Sequence, residues 1–124
     1  MDWKDETSLV LLDGGLGTTL EDDYNLVLDP LKWSCGCLET HPDLLSEIHY
    51  NYYLKGADIC TTSSYQCSKI QYPDNCEDML KYSVKLCQDA RDKFWKENEK
   101  TNKNRKKPLV AASVGKSIKK LIYI

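Results

Sequence analysis

The stretch Leu9-Val10-Leu11-Leu12-Asp13-Gly14-Gly15-Leu16-Gly17-Thr18-Thr19-Leu20-Glu21 decides the reading of this chain. Four consecutive apolar residues have the length of a buried strand, and this one delivers Asp13 to its carboxyl end. Gly14 and Gly15 follow at once, giving backbone that a small ligand can approach where a Cβ would collide. Two further apolar runs, Ala57–Thr61 and Leu109–Val114, have the same character. The first of them runs out into the hydroxyls Thr61, Thr62, Ser63 and Ser64, with Tyr65 and Gln66 behind them, and the second leads to Gly115.

Between these runs the pattern is helical. After Thr40 and Pro42, residues suited to a helix start, Leu44, Leu45, Ile48, Tyr52 and Tyr53 recur at spacings of three and four, and Gly56 supplies the stop. A second helix is expected from Asp74 or Asn75, with Met79, Leu80, Val84, Leu86, Cys87, Ala90 and Phe94 on one apolar face. Lys96–Lys107 has no apolar anchors and reads as a solvated helix end and loop. Strand, helix, strand, helix, strand implies parallel pairing with right-handed crossovers, so the fold class is α/β. The long first interval leaves Glu21–Glu39, with Pro30 and Cys35-Gly36-Cys37, as an insertion between strands one and two.

A chain of 124 residues with 41% hydrophobic residues has room for one domain. Its net charge of −2 hides an asymmetry: residues 1–90 carry six basic and sixteen acidic side chains, residues 91–124 eleven and three. Met1-Asp2-Trp3-Lys4-Asp5-Glu6 lacks the basic and apolar regions of a secretory signal, and no run approaches a membrane span, so a cytoplasmic protein is expected. In that compartment the six cysteines read as reduced thiols, and none forms a CxxC pair.

Competing motifs fail on spacing. Gly15-Leu16-Gly17 lacks the third glycine of a dinucleotide loop, and Gly115-Lys116-Ser117 lacks the upstream glycine of a phosphate loop because Val110 stands there. The basic cluster Lys100, Lys103, Arg105, Lys106 and Lys107 has no interleaved aromatics and reads as a solvated loop rather than a nucleic-acid or membrane surface. His41 and His49 read as capping or surface residues, and Cys60 and Cys67 as small buried thiols. No Ser/His/Asp or Cys/His catalytic set assembles. What remains is the rim: Asp13, Gly14 and Gly15 beside Thr62, where ligands of parallel α/β folds bind.

The ordered blocks LLDGGLGTTLE, Pro30-Leu31-Lys32-Trp33-Ser34, His41-Pro42-Asp43 through His49-Tyr50-Asn51-Tyr52-Tyr53, GADICTTSSYQCS and AASVG resemble the homocysteine S-methyltransferase family over residues 8–115. The resemblance implies the first three βα units of a (β/α)8 TIM-type barrel, incomplete here. It makes residues 1–115 a partial homocysteine-binding domain and 116–124 a divergent lysine-rich tail. It implies methyl transfer from S-methylmethionine or S-adenosylmethionine to homocysteine, giving methionine, with Asp13, Gly14 and Gly15 holding the amino-acid part of homocysteine and Thr62 at the same pocket rim. In the intact family a zinc ion held by three cysteines, from a single-Cys block and a GGCC block, would turn the substrate thiol into a thiolate. Neither block occurs among these residues, so no zinc is expected on this chain, and it is expected to be inactive alone. Three strands cannot close a barrel, which makes the alternative a non-catalytic remnant that pairs with an intact relative. Nucleic acid and membrane are not expected as partners.

Overall fold

A computed structural model describes residues 9–115; the lysine-rich tail lies outside the described residues. Helix α1 spans Leu16–Asp22, and a 3-10 turn at Trp33–Gly36 runs into the single-turn helix α2, Cys37–Thr40. Helix α3 follows at Pro42–Leu54, then strand β1 at Ile59–Thr61, helix α4 at Cys76–Asn98 and strand β2 at Leu109–Ala111. The strands pair in parallel with Ile59 opposite Leu109 and Thr61 opposite Ala111. On the other side of β1, Leu12 forms a parallel bridge to Ile59, supported by Asp13 N donating to Ile59 O at 3.0 Å and Asp58 N to Leu11 O at 2.7 Å.

The parallel α/β order of the three runs is therefore present, with one correction. The run expected as a buried strand at Leu9–Leu12 is a single bridge, and Leu9, Leu11 and Leu12 are exposed. A parallel strand is buried when helices and neighbouring strands cover it on every side, and among the described residues this one is paired on one side only. The structure thus holds a small two-stranded parallel sheet with a bridged third segment, short of three full βα units.

Helix α3 is set by its sequence signals. Pro42 occupies its first turn, where a missing N–H costs nothing, and Gly56, at φ +116°, takes the left-handed conformation that ends it. Leu45, Ile48, His49 and Tyr53 face inward. Helix α4 has Asn75 at its N-cap position and Glu77 and Asp78 in its first turn, opposing the positive end of the helix dipole. Its inward row Met79, Leu80, Ser83, Leu86, Cys87, Ala90 and Phe94 packs on α3.

Two apolar clusters result. Leu20, Cys35, Leu38, Leu45, Ile48, Cys67, Met79 and Leu80 form part of the larger, between the insertion and the helices. Tyr53, Ala57, Cys60, Cys87 and Phe94 form the smaller, beneath the sheet. There Tyr53 stacks on Phe94 with ring centroids 6.0 Å apart, and its hydroxyl donates to Leu109 O at 3.0 Å, tying α3 to β2.

The Glu21–Glu39 insertion is ordered by local chemistry. Asp29 Oδ1 accepts from Leu31 N and Lys32 N, and Trp33 Nε1 donates to Pro30 O at 3.0 Å. Together these contacts hold Trp33 at φ +49°, a conformation a bulky residue avoids unless its surroundings fix it. The Lys96–Lys107 stretch is the largely exposed helix end and loop expected of it, but it is anchored near its end. Arg105 donates to Ala57 O at 2.8 Å and lies 4.6 Å from the Phe94 ring centroid, while Lys107 pairs with Asp92 at 2.8 Å.

Candidate functional site

Asp13 leaves the strand-one segment with its carboxylate turned across β1. Oδ2 accepts from Thr61 N at 2.8 Å and Oδ1 from Thr61 Oγ1 at 3.2 Å. Burial raises its pKa above the ordinary 3.8, and the two Thr61 hydrogen bonds oppose that rise. Each oxygen keeps a free lone pair, so the held carboxylate can still accept from a ligand or bind a cation.

Gly14 and Gly15 continue into α1, with Gly15 at its N-cap position. A Cβ on Gly14 would lie 2.8 Å from Tyr52 Oη, so the space beside this glycine is taken by a tyrosine of α3. That tyrosine bonds Thr19 Oγ1 at 2.8 Å and closes the seam between α1 and α3. A cleft of about 110 Å³ lies along that seam, lined in part by Thr19, Tyr24, Asn51, Tyr52 and Lys55.

Thr62 sits one residue past the contact with Asp13. Its hydroxyl lies 2.7 Å from Ser64 Oγ and accepts from Ser113 N at 2.9 Å, while Ser64 Oγ donates to Ser113 O at 2.8 Å. This buried hydroxyl lattice fastens the ends of β1 and β2 together. The structure therefore places Asp13 against Thr61 and Thr62 against Ser64 and Ser113, on one parallel rim. Gly115 closes that rim: a Cβ there would fall 2.4 Å from the Tyr65 carbonyl oxygen.

The residue that sequence reasoning missed is His49. Read as a surface or capping residue, it is 1% exposed, and neither ring nitrogen has a hydrogen-bond partner. Loss of solvent lowers its pKa from 6.5 to about 4, so the imidazole is neutral at pH 7. A signal for its burial was present, because Leu45, His49 and Tyr53 recur at intervals of four along α3. His41 does stand at the N-cap position of α3, with Nδ1 2.8 Å from Thr40 Oγ1.

All six cysteines are free and buried. Cys60 and Cys87 have thiol pKa values raised chiefly by burial, Cys87 to about 12. Among the described residues no three cysteine sulfurs converge, so they do not fit a three-cysteine zinc site.

The chain is an α/β protein with a small parallel sheet, and an acid and hydroxyls stand at the carboxyl rim where folds of this class bind ligands. The homocysteine S-methyltransferase family model matches residues 10–122, and the chain belongs to that family. It is 42% identical over 114 residues to homocysteine S-methyltransferase 1 of Zea mays, covering 85% of this chain and 34% of the maize protein. It is 34% identical over 117 residues to homocysteine S-methyltransferase YbgG of Bacillus subtilis (strain 168), covering 90% and 36%. The crystal structure of the homocysteine methyltransferase MmuM from Escherichia coli in its metallated form superposes with a TM-score of 0.76 at 32% identity, covering 90% of this chain and 39% of that one. The chain thus spans about a third of the length of these relatives. No helix among the described residues is long and apolar enough to cross a membrane.

Proposed function

We propose that this chain carries the amino-acid-binding rim of a homocysteine S-methyltransferase, the enzyme that moves a methyl group from S-methylmethionine or S-adenosylmethionine to homocysteine to give methionine. The observation that carries the reading is the Asp13 carboxylate, held at a strand end by two bonds from Thr61 in a chain of this family. A fixed, half-buried carboxylate is a counter-charge for an α-ammonium group. On this reading Gly14 and Gly15 lie beside Asp13 where the amino-acid part of the substrate would sit, and Thr62, bonded to Ser113, keeps the rim in shape. Zinc, when bound in the intact family, supplies the acidity that makes the substrate thiol a thiolate. The described residues offer no three-cysteine site for it, so the chemical step is assigned to no residue here.

On this reading the 124-residue chain binds homocysteine and does not methylate it alone. A charge-assisted hydrogen bond contributes about 1.5–3 kcal/mol, which makes binding weak, in the millimolar range at best. Titration of homocysteine followed by NMR should show saturable shifts at Asp13 and Thr61. Asp13→Asn should weaken binding about tenfold or more, and no methionine should form with S-methylmethionine and added zinc. Wild-type and Asp13→Asn chains of equal affinity would remove the assignment, and chelator-sensitive turnover would overturn the claim of inactivity.

A further inference from the structure

We propose that Asp13, His49 and Cys60 form a binding site for one divalent cation of the zinc or cobalt type. One donor atom from each residue, a carboxylate oxygen, an imidazole nitrogen and a thiol sulfur, lies within 4.8 Å of the other two. They come from three elements: the segment after Leu12, helix α3 and strand β1. Tetrahedral zinc needs ligand atoms roughly 3.5 Å apart, given bonds of about 2.0–2.3 Å. Closing that gap means bringing the donor atoms together by about an ångström.

His49 supplies an independent observation. An imidazole 1% exposed with both ring nitrogens unpartnered is rare, because each buried unpaired polar atom costs about 1–3 kcal/mol. A metal bond satisfies one nitrogen, and the neutral ring is the form that ligates. Asp13 is already oriented by Thr61 N and Oγ1, the kind of outer support that metal-binding carboxylates receive. Cys60 is fully buried, and its Sγ–H makes a long 3.9 Å contact with the His49 carbonyl, with the Tyr53 hydroxyl as a further neighbour.

The charges balance. On binding, the Cys60 S–H bond breaks, the proton leaves to solvent and the thiolate lone pair forms the S–metal bond; nothing is oxidised or reduced. A carboxylate and a thiolate then offset a dication beside a neutral imidazole, so the buried unit carries no net charge. The mixed N, O and S donors suit zinc or cobalt(II), whereas magnesium and calcium require oxygen shells. The site stands apart from the homocysteine reading. It shares Asp13 with it, however, so a bound metal withdraws the charge that an α-ammonium would use.

Cobalt(II) titration of the metal-free 124-residue chain, in a non-thiol reductant and without amino acid, tests the proposal. One equivalent should bind with a thiolate-to-cobalt charge-transfer band, and one equivalent of zinc should displace it. Cys60→Ser should abolish the band and His49→Gln should weaken binding at least tenfold, while Cys35→Ser, in the other cluster, leaves both unchanged. X-ray absorption of the zinc-loaded wild-type chain should show one sulfur among nitrogen and oxygen ligands, a readout that does not depend on any variant folding. Absence of saturable binding up to about 100 µM metal overturns the site. So does a band that survives Cys60→Ser, or a shell with two or more sulfurs.

Discussion

Burial keeps the His49 imidazole neutral and sets a direction for the pH dependence of stability. Its pKa falls from 6.5 to about 4 through desolvation, so between those values the unfolded chain binds a proton that the folded chain does not. Stability is therefore undiminished above about pH 6.5 and declines as pH falls toward 4, by about 3 kcal/mol for a shift of this size. Asp13 acts with the opposite sign: its raised pKa favours the folded state below the ordinary 3.8, and that contribution is lost as pH rises through the folded value. Urea unfolding of the chelator-treated chain from pH 7.5 to 4 should show a net slope, and His49→Gln should flatten the part of it between 6.5 and 4. Equal slopes in the two proteins would mean that His49 is reached by solvent. The place of Asp13 beside β1 could be read because an acid between an apolar run and two glycines is a local pattern. That of His49 could not, because polarity outweighed its place in the Leu45, Ile48, Tyr53 ladder.

Helix α3 could be read almost to its boundaries, since proline at its start and glycine after its end act through the backbone of a few residues. The anchoring of the segment after α4 could not, because it depends on long-range contacts. Arg105 reaches back 48 residues to the Ala57 carbonyl while covering the face of Phe94, so with the Lys107–Asp92 pair its guanidinium helps fix the approach of the chain to β2. Removing it leaves that carbonyl without its charged donor and uncovers the ring. Arg105→Ala should cost about 2 kcal/mol, read as a lower urea midpoint at unchanged slope. Exposed Lys103→Ala, two residues away, should shift stability by less than about 0.5 kcal/mol. If the two substitutions behave alike, the solvated-loop reading of Lys96–Lys107 is right for this arginine as well.

At the scale of the whole chain the order of strands followed from sequence, but their burial did not, since burial depends on what lies beside each strand. Among the described residues Leu12 pairs only toward β1, and β2 pairs only with β1, so both outer segments present unpaired backbone. The same segments expose apolar side chains: Leu9 is 101% exposed, Leu12 61% and Leu109 37%. An open strand edge bordered by exposed leucines is a template for another strand, and the hydrophobic effect and unmet backbone hydrogen bonds favour contact together. No charged side chain interrupts Leu9–Leu12, and a charge is the usual protection of an edge. The 124-residue chain studied alone should therefore self-associate. Sedimentation equilibrium from about 1 to 100 µM in reductant should give an average mass that rises with concentration. Placing lysines at Leu9 and Leu12, which are 101% and 61% exposed, should return the chain toward the monomer without lowering its urea midpoint. A wild-type chain that stays monomeric across the range would show that these edges are covered by other means, and association unchanged in the double lysine variant would move the contact elsewhere.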